Sequence, residues 1–256
     1  SFSLEMKLPS MRFLALLACV QATVVFPASA GEAVLRPDGL NANPGWALNR
    51  VGEELSGNSS FAYPDTTVPV RLYLIDTAVE NPSSFTAANP RLTFESTILV
   101  RGSNDPQVST PRAHGTQMLS LIAGIETGVA PGTPIHVVNY DIYPSPTTTI
   151  SLLSSAISKA VLHHKHPNTV KMRAVICIAT SSNTEAEFSY MVSDTINTAL
   201  AAGIPVILSS GNLGQDAASI VPSSNGTKNG VICVGASGSN DLALPDSNFG
   251  TPVDVL

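Results

Sequence analysis

The chain is poor in charge. Lys and Arg number 13 against 19 Asp and Glu in 256 residues, a formal net charge of −6. Mild acidity without clustered Lys and Arg excludes a nucleic-acid surface, which needs a basic patch. The nearest basic run is His163-His164-Lys165-His166, whose imidazoles suit the carboxyl end of a helix better than a metal site. A long membrane-spanning run is also missing. Phe13 to Phe26 is apolar but short for a span, and Gln21 and Thr23 interrupt it. Met6 or Met11 with Lys7 and Arg12 precedes it, and Ala28-Ser29-Ala30 follows. That pattern predicts a cleaved export signal, a mature chain starting near Gly31, and a secreted or periplasmic location without stable membrane insertion. Cysteine is scarce. Beyond the signal remain Cys177 and Cys233, each inside an apolar strand-like run, where a free thiol packs as a small hydrophobe. A disulfide between them, or with a residue past Leu256, depends on geometry that sequence does not supply. Internal repeats, low-complexity tracts and a second-domain linker are absent, so one sizeable core is expected.

Apolar strands alternate with helices from Val68 onward. Strands are expected at Val70 to Ile75, Pro134 to Tyr140, Ala174 to Ile178, Ile204 to Leu208 and Val231 to Val234. Helices are expected at His114 to Ile125, Ile150 to His164 and Glu185 to Ala202. The second carries the stripe Leu153, Ala156, Ile157, Ala160, Val161 behind a Thr148 or Thr149 cap. Gly203 stops the third. Residues 79–112, rich in Pro, Asn, Ser and Thr, read as a long surface excursion with one strand-like stretch near Thr97 to Val100. Strands without polar alternation, separated by helices, imply a mainly parallel, doubly wound sheet in a three-layer α/β/α fold. Sites in such folds lie at the carboxyl ends of strands.

Three polar residues fall at that edge or beside it. Asp76 closes a strand, where a carboxylate either caps a turn or orients an imidazole. His114 opens a helix, whose N-terminus favours a neutral imidazole able to act as a general base. Asn212 follows Gly211 at a strand's end, as a turn residue or as an amide donor to an oxyanion. Each alone reads as ordinary turn, surface or core chemistry. Acid, imidazole and amide in this order are the parts of an acyl-transfer site.

Flanking segments add to them. Gly45-Trp46-Ala47-Leu48-Asn49-Arg50-Val51, Val70 to Glu80, His114-Gly115-Thr116 with Leu121-Ile122-Ala123-Gly124, Gly128-Val129-Ala130-Pro131, Pro205 to Asn212, Val234 to Ser237 and Ser247 to Gly250 occur in sequence. In this order and spacing the chain resembles the subtilisin-like serine proteases, and looks closest to their proteinase K branch. The resemblance runs from about Trp46 to Leu256. It implies residues 1–30 as upstream sequence and signal, 31–45 as a short N-terminal segment, and 46–256 as part of a peptidase domain, incomplete at its C-terminus. It also implies a monomer that hydrolyses polypeptides through an acyl-enzyme, with Asp76 orienting His114 as base and Asn212 holding the oxyanion. The family nucleophile belongs to a Gly-Thr-Ser motif, which the 256 residues do not contain. The serine is therefore expected beyond Leu256, and the given residues are expected to be inactive alone.

Several positions depart from the family. Ala78 stands where Gly is usual, and would be strained if that position needs a positive φ. Gln117 replaces a His outside the triad. Ala179-Thr180-Ser181-Ser182 replaces Ser-Leu-Gly-Gly, the edge that pairs with substrate backbone. With little more than Gly31 to Pro44 between the signal and the domain, the usual inhibitory propeptide is expected to be absent. These departures make a non-catalytic peptide- or protein-binding homologue the alternative reading. A small-molecule domain ranks lower, since no Gly-x-Gly-x-x-Gly follows the first strand. No cofactor is required; the resemblance makes Asp254 a candidate structural-calcium ligand, with carbonyls near Asn229 and Val231. Asn58-Ser59-Ser60 and Asn225-Gly226-Thr227 are glycosylation sequons, relevant in a eukaryotic secretory host.

Overall fold

The computed structural model describes residues 34–41, 47–48, 61–65, 67–100, 113–143, 148–183 and 186–256. The export signal, Trp46 and the sequon at Asn58 lie outside them. Strand β1 (Val34–Asn41) pairs antiparallel with β2 (Phe61–Asp65). The main layer then follows along the chain as β3 (Val70–Asp76), helix α1 (Pro82–Ala88), β4 (Leu92–Leu99), α2 (Ala113–Ala123), β5 (Ile135–Asp141), α3 (Ile150–Lys165) and β6 (Arg173–Ile178). After the short β7 (Ser182–Asn183) come α4 (Ala186–Ala201), β8 (Val206–Ser209), the short β9 (Ile220–Val221) and β10 (Val231–Val234). The central sheet has the order β10-β8-β6-β3-β5-β4, with every neighbouring pair parallel. The chain leaves β3 toward β5 and β4 and returns to β6, β8 and β10, so its direction switches at β3.

Every residue of β3 is buried, because both faces of the sheet are covered. Leu72 and Leu74 enter one core with Met118, Leu119 and Ile122 of α2. Tyr73 and Ile75 enter the other, with Leu153, Ile157 and Val161 of α3 and Val192 and Ile196 of α4. Alternation across the strand thus feeds two cores from one apolar run, giving the three-layer α/β/α arrangement. Full burial of such a side chain contributes about 1.5–3 kcal/mol. Thr149 caps α3 by accepting the Leu152 amide at 3.3 Å. Gly203 takes φ 76° just past α4, the left-handed stop that a glycine permits.

Of the expected surface excursion, residues 101–112 lie outside the described ones; the part up to Val100 is more regular than expected, and its strand begins at Leu92 rather than near Thr97. That part forms α1 and the eight-residue strand β4, which pairs with β5 along the sheet's edge. Beyond Leu92, β4 alternates half-buried with exposed residues, and Thr93, Glu95 and Thr97 are among the exposed ones. An edge strand covered incompletely carries polar residues that read as loop.

The cysteines remain free and buried on opposite sides of the sheet, Cys177 in the first core and Cys233 in the second. A disulfide between them is therefore not formed. His163 and His164 lie in the last turn of α3, as expected, and are half-buried, while Lys165 and His166 stay exposed. Tyr73 Oη lies 3.0 Å from His163 Nδ1, and both His163 and His164 meet the Tyr73 ring edge-on. Burial, then the positive Arg71, holds both imidazoles below their ordinary pKa. Arg71 is itself buried, with Nη1 donating to Val170 O and Nη2 to Glu95 Oε1, both at 3.0 Å.

Candidate active site

Asp76 is the last residue of β3, and its side chain is 2% exposed. Its Oδ1 accepts the Thr77 amide at 2.6 Å. His114, in the first turn of α2, places Nδ1 at 2.8 Å from Oδ1 and 2.9 Å from Oδ2 of Asp76. An ionised carboxylate only accepts, so this contact assigns the proton to Nδ1. Nε2 then carries the lone pair that can take a proton. The His114 side chain is 40% exposed, so the base is open to an incoming group while its acid is sealed. An acid that fixes the tautomer and a partly exposed imidazole have the geometry of the acid–base half of a nucleophile-activating site.

The pair is held by backbone-directed side chains. Thr77 Oγ1 accepts the Gly115 amide at 2.8 Å, and Thr116 Oγ1 accepts the Glu80 amide at 2.8 Å. A Cβ at Gly115 would collide with the Thr77 carbonyl, so glycine permits this approach of α2 to the β3 turn. Below the turn lies Asn139 of β5, fully buried. Its Nδ2 donates to Leu74 O at 3.2 Å and Thr77 O at 3.1 Å, while its Oδ1 accepts the Val79 amide at 3.0 Å. One amide therefore grips the chain on both sides of Asp76.

Asn212 stands two strands away, just past β8, and is exposed. Strands β6 and β8 run parallel to β3, so Asp76 at the end of β3, Ala179 just past β6 and Asn212 past β8 lie on one rim of the sheet. Adjacent strands lie about 4.8 Å apart, which puts the β8 end roughly 10 Å from the β3 end. Between them, Thr180 Oγ1 lies 2.6 Å from Tyr143 Oη. Burial above all, with the Asp76 carboxylate adding to it, raises the Tyr143 phenol, which stays protonated. Ser182 and Asn183 pair through the backbone with Val221 and Ile220. The structure thus joins Asp76 to His114 directly, and brings Ala179, Thr180, Ser181 and Asn212 to the same rim.

Residues 70–255 match the model of the subtilase family. The chain belongs to this family. It is 33% identical over 233 residues to a subtilisin-like protease of Coccidioides posadasii (strain C735), covering 88% of this chain and 52% of that protein. An alkaline proteinase of Hapsidospora chrysogena is 24% identical, with 85% of this chain and 50% of that protein covered. This subtilase thus spans about half the length of the curated relatives it matches. Among solved structures, a cold adapted subtilisin-like serine proteinase superposes with a TM-score of 0.62 at 21% identity, covering 84% of this chain and 72% of that one. That likeness establishes the fold.

The departures now have structural settings. Ala78 is buried and is not among the residues with positive φ, so its methyl group causes no backbone strain. Gln117 is exposed on α2. Asp254 Oδ2 accepts the Cys233 amide at 2.8 Å; desolvation pushes this carboxyl up, and that amide pulls it down. No group of three or more His, Cys, Asp or Glu placed to hold a metal occurs among the described residues. The second sequon is closed, because Asn225 is buried and its Nδ2 donates to Pro222 O at 2.9 Å. Asn139 was not apparent as a site residue from the sequence, since no motif marks a buried amide on a neighbouring strand.

Proposed function

We propose that this protein is an exported serine endopeptidase that hydrolyses unfolded polypeptides as a monomer through an acyl-enzyme. The observation that supports the reading most is the Asp76–His114 contact, with Nδ1 between 2.8 and 2.9 Å from both carboxylate oxygens. On this reading His114 Nε2 removes the proton of a serine hydroxyl as the oxygen attacks the peptide carbonyl carbon. The imidazolium returns the proton to the leaving amine, and a water molecule repeats the sequence to free the acid product. Asp76 stabilises the imidazolium. Asn212 donates to the carbonyl oxygen as it becomes an oxyanion. Ala179 to Ser182 lie along the substrate backbone, and the attacking serine comes from a segment past Leu256, as the family order implies. Export rests on the Phe13 to Ala30 pattern. No described helix is long and apolar enough to cross a membrane.

The test is labelling of the full-length protein by a fluorophosphonate probe, which forms a covalent adduct with an activated serine. Labelling is expected in wild type and lost in His114→Ala. Absence of labelling in wild type contradicts hydrolysis. Peptide binding without labelling would instead favour the non-catalytic homologue, which the substitutions at Ala179 to Ser182 motivate.

A structural calcium at Asp254, with carbonyls near Asn229 and Val231, belongs to the same proposal. Its support is the family resemblance at Asp254, whose carboxylate is held against β10 by the Cys233 amide at 2.8 Å. Calcium should raise the melting temperature of wild type and leave Asp254→Asn unchanged.

A further inference from the structure

Asn248 brackets the segment that presents Asn212. It is fully buried, 36 residues further along the chain. Its Nδ2 donates to Ser210 O at 2.8 Å, before Asn212. Its Oδ1 accepts the amides of Leu213 and Gln215, each at 3.0 Å, after Asn212. Its own amide donates to Gly211 O at 3.0 Å. Gly211 has φ 101°, and a Cβ there would run into Asn248 Nδ2. Asn212 itself is exposed, so its backbone is fixed by this clamp rather than by packing of its own side chain.

We propose that Asn248 is a positioning residue for the oxyanion donor, acting on the reaction through Asn212. The inference rests on the peptidase reading above and adds to it a residue that touches neither substrate nor the Asp76–His114 pair. An asparagine amide suits the task because one planar group offers a donor to a carbonyl on one side and two lone pairs to amides on the other. Asp at this position keeps the acceptors but turns an oxygen toward Ser210 O, and Ala removes all three side-chain bonds. A donor that is misplaced weakens stabilisation of charge developing in the transition state more than ground-state binding.

The test is a double-mutant cycle in the full-length protein. Asn248→Asp should lower kcat by about tenfold or more in the wild-type background, with KM nearly unchanged, because loss of an oxyanion donor itself costs on the order of 10²–10³. In an Asn212→Ala background the same substitution should have almost no effect, since the donor it positions is gone. The pH dependence of kcat should keep its midpoint. Equal losses in both backgrounds, or no loss in either, overturn the proposal. Hydrogen exchange separates this inference from the proposed function. In Asn248→Ala the Leu213 and Gln215 amides should exchange about tenfold faster or more, while Ile207 and Leu208 keep their protection. A wild type lacking peptidase activity defeats the proposed function, and the exchange result then decides the clamp. Unchanged exchange at Leu213 and Gln215, or exchange that also rises at Ile207 and Leu208, overturns a local positioning role.

Discussion

Thr77 Oγ1 accepts the amide hydrogen of Gly115 at 2.8 Å, so the residue after the acid holds the residue after the base. The Asp76–His114 distance is therefore set by a second bond one residue along on each side. Thr77→Val keeps the shape and removes the acceptor, leaving the buried Gly115 amide unpaired. It should cost about 1–3 kcal/mol in urea denaturation, the desolvation penalty of an unsatisfied donor. It should also lower kcat more than it changes KM. An unchanged midpoint with unchanged kcat would show that the bond does not matter.

Asn139→Leu is the harsher test of the same turn. The substitution strips partners from Leu74 O, Thr77 O and the Val79 amide together. A loss of roughly 2–5 kcal/mol is expected, from several buried groups left unsatisfied at once. Thermal and urea unfolding of Asn139→Leu beside wild type check it. A loss below 1 kcal/mol, on the order of a surface substitution, would mean the turn is held by other contacts.

Asn139 marks where sequence becomes insufficient. The β3 run was legible because burial on both faces demands an unbroken apolar segment, and Asp76 at its end stood out as an expensive carboxylate. His114 was legible as a helix opener with a glycine behind it. Strand β4 was largely hidden, since an edge strand alternates with solvent-facing Thr and Glu. Asn139 and Asn248 were hidden as site residues for a different reason. Their bonds to Thr77 and to Leu213 span 62 and 35 residues, and neither partner lies in a motif that names the other. The histidines lie in the last turn of α3 as expected, but their contacts with Tyr73 and Arg71 were hidden, because those partners sit on a strand some 90 residues earlier.

That histidine cluster predicts acid sensitivity. His163 and His164 are held below their ordinary pKa of 6.5 by burial first and Arg71 second; Lys171 also faces His164, and Glu95 opposes the shift at His163. The unfolded chain then binds protons that the folded chain does not, so stability falls as pH drops below about 6.5 and levels off below the folded values. Urea midpoints measured between pH 8 and pH 5 should decline in wild type. Replacing both residues by Gln should flatten part of that decline, and an identical slope would contradict the assignment.

The thiol of Cys233 predicts chemical inertness. Burial above all, with the Asp254 carboxylate beside it, pushes the thiol up to about 12. Thiolate is the reactive form, so iodoacetamide at pH 8 should leave native Cys233 unmodified and label it once urea unfolds the chain. Rapid labelling of the native protein, located by peptide mass, would contradict the buried placement.

The central claim is that Asp76 and His114 work as one unit on peptide bonds. Removal of the acid leaves the wrong tautomer available, and in an analogous triad that costs on the order of 10⁴-fold in kcat. The direct measurement is cleavage of an unfolded protein substrate by full-length wild type, Asp76→Ala, His114→Ala and the double variant. Each single variant is expected to lose nearly all activity, and the double variant to lose little more than either. Equal cleavage by wild type and both single variants would contradict the account.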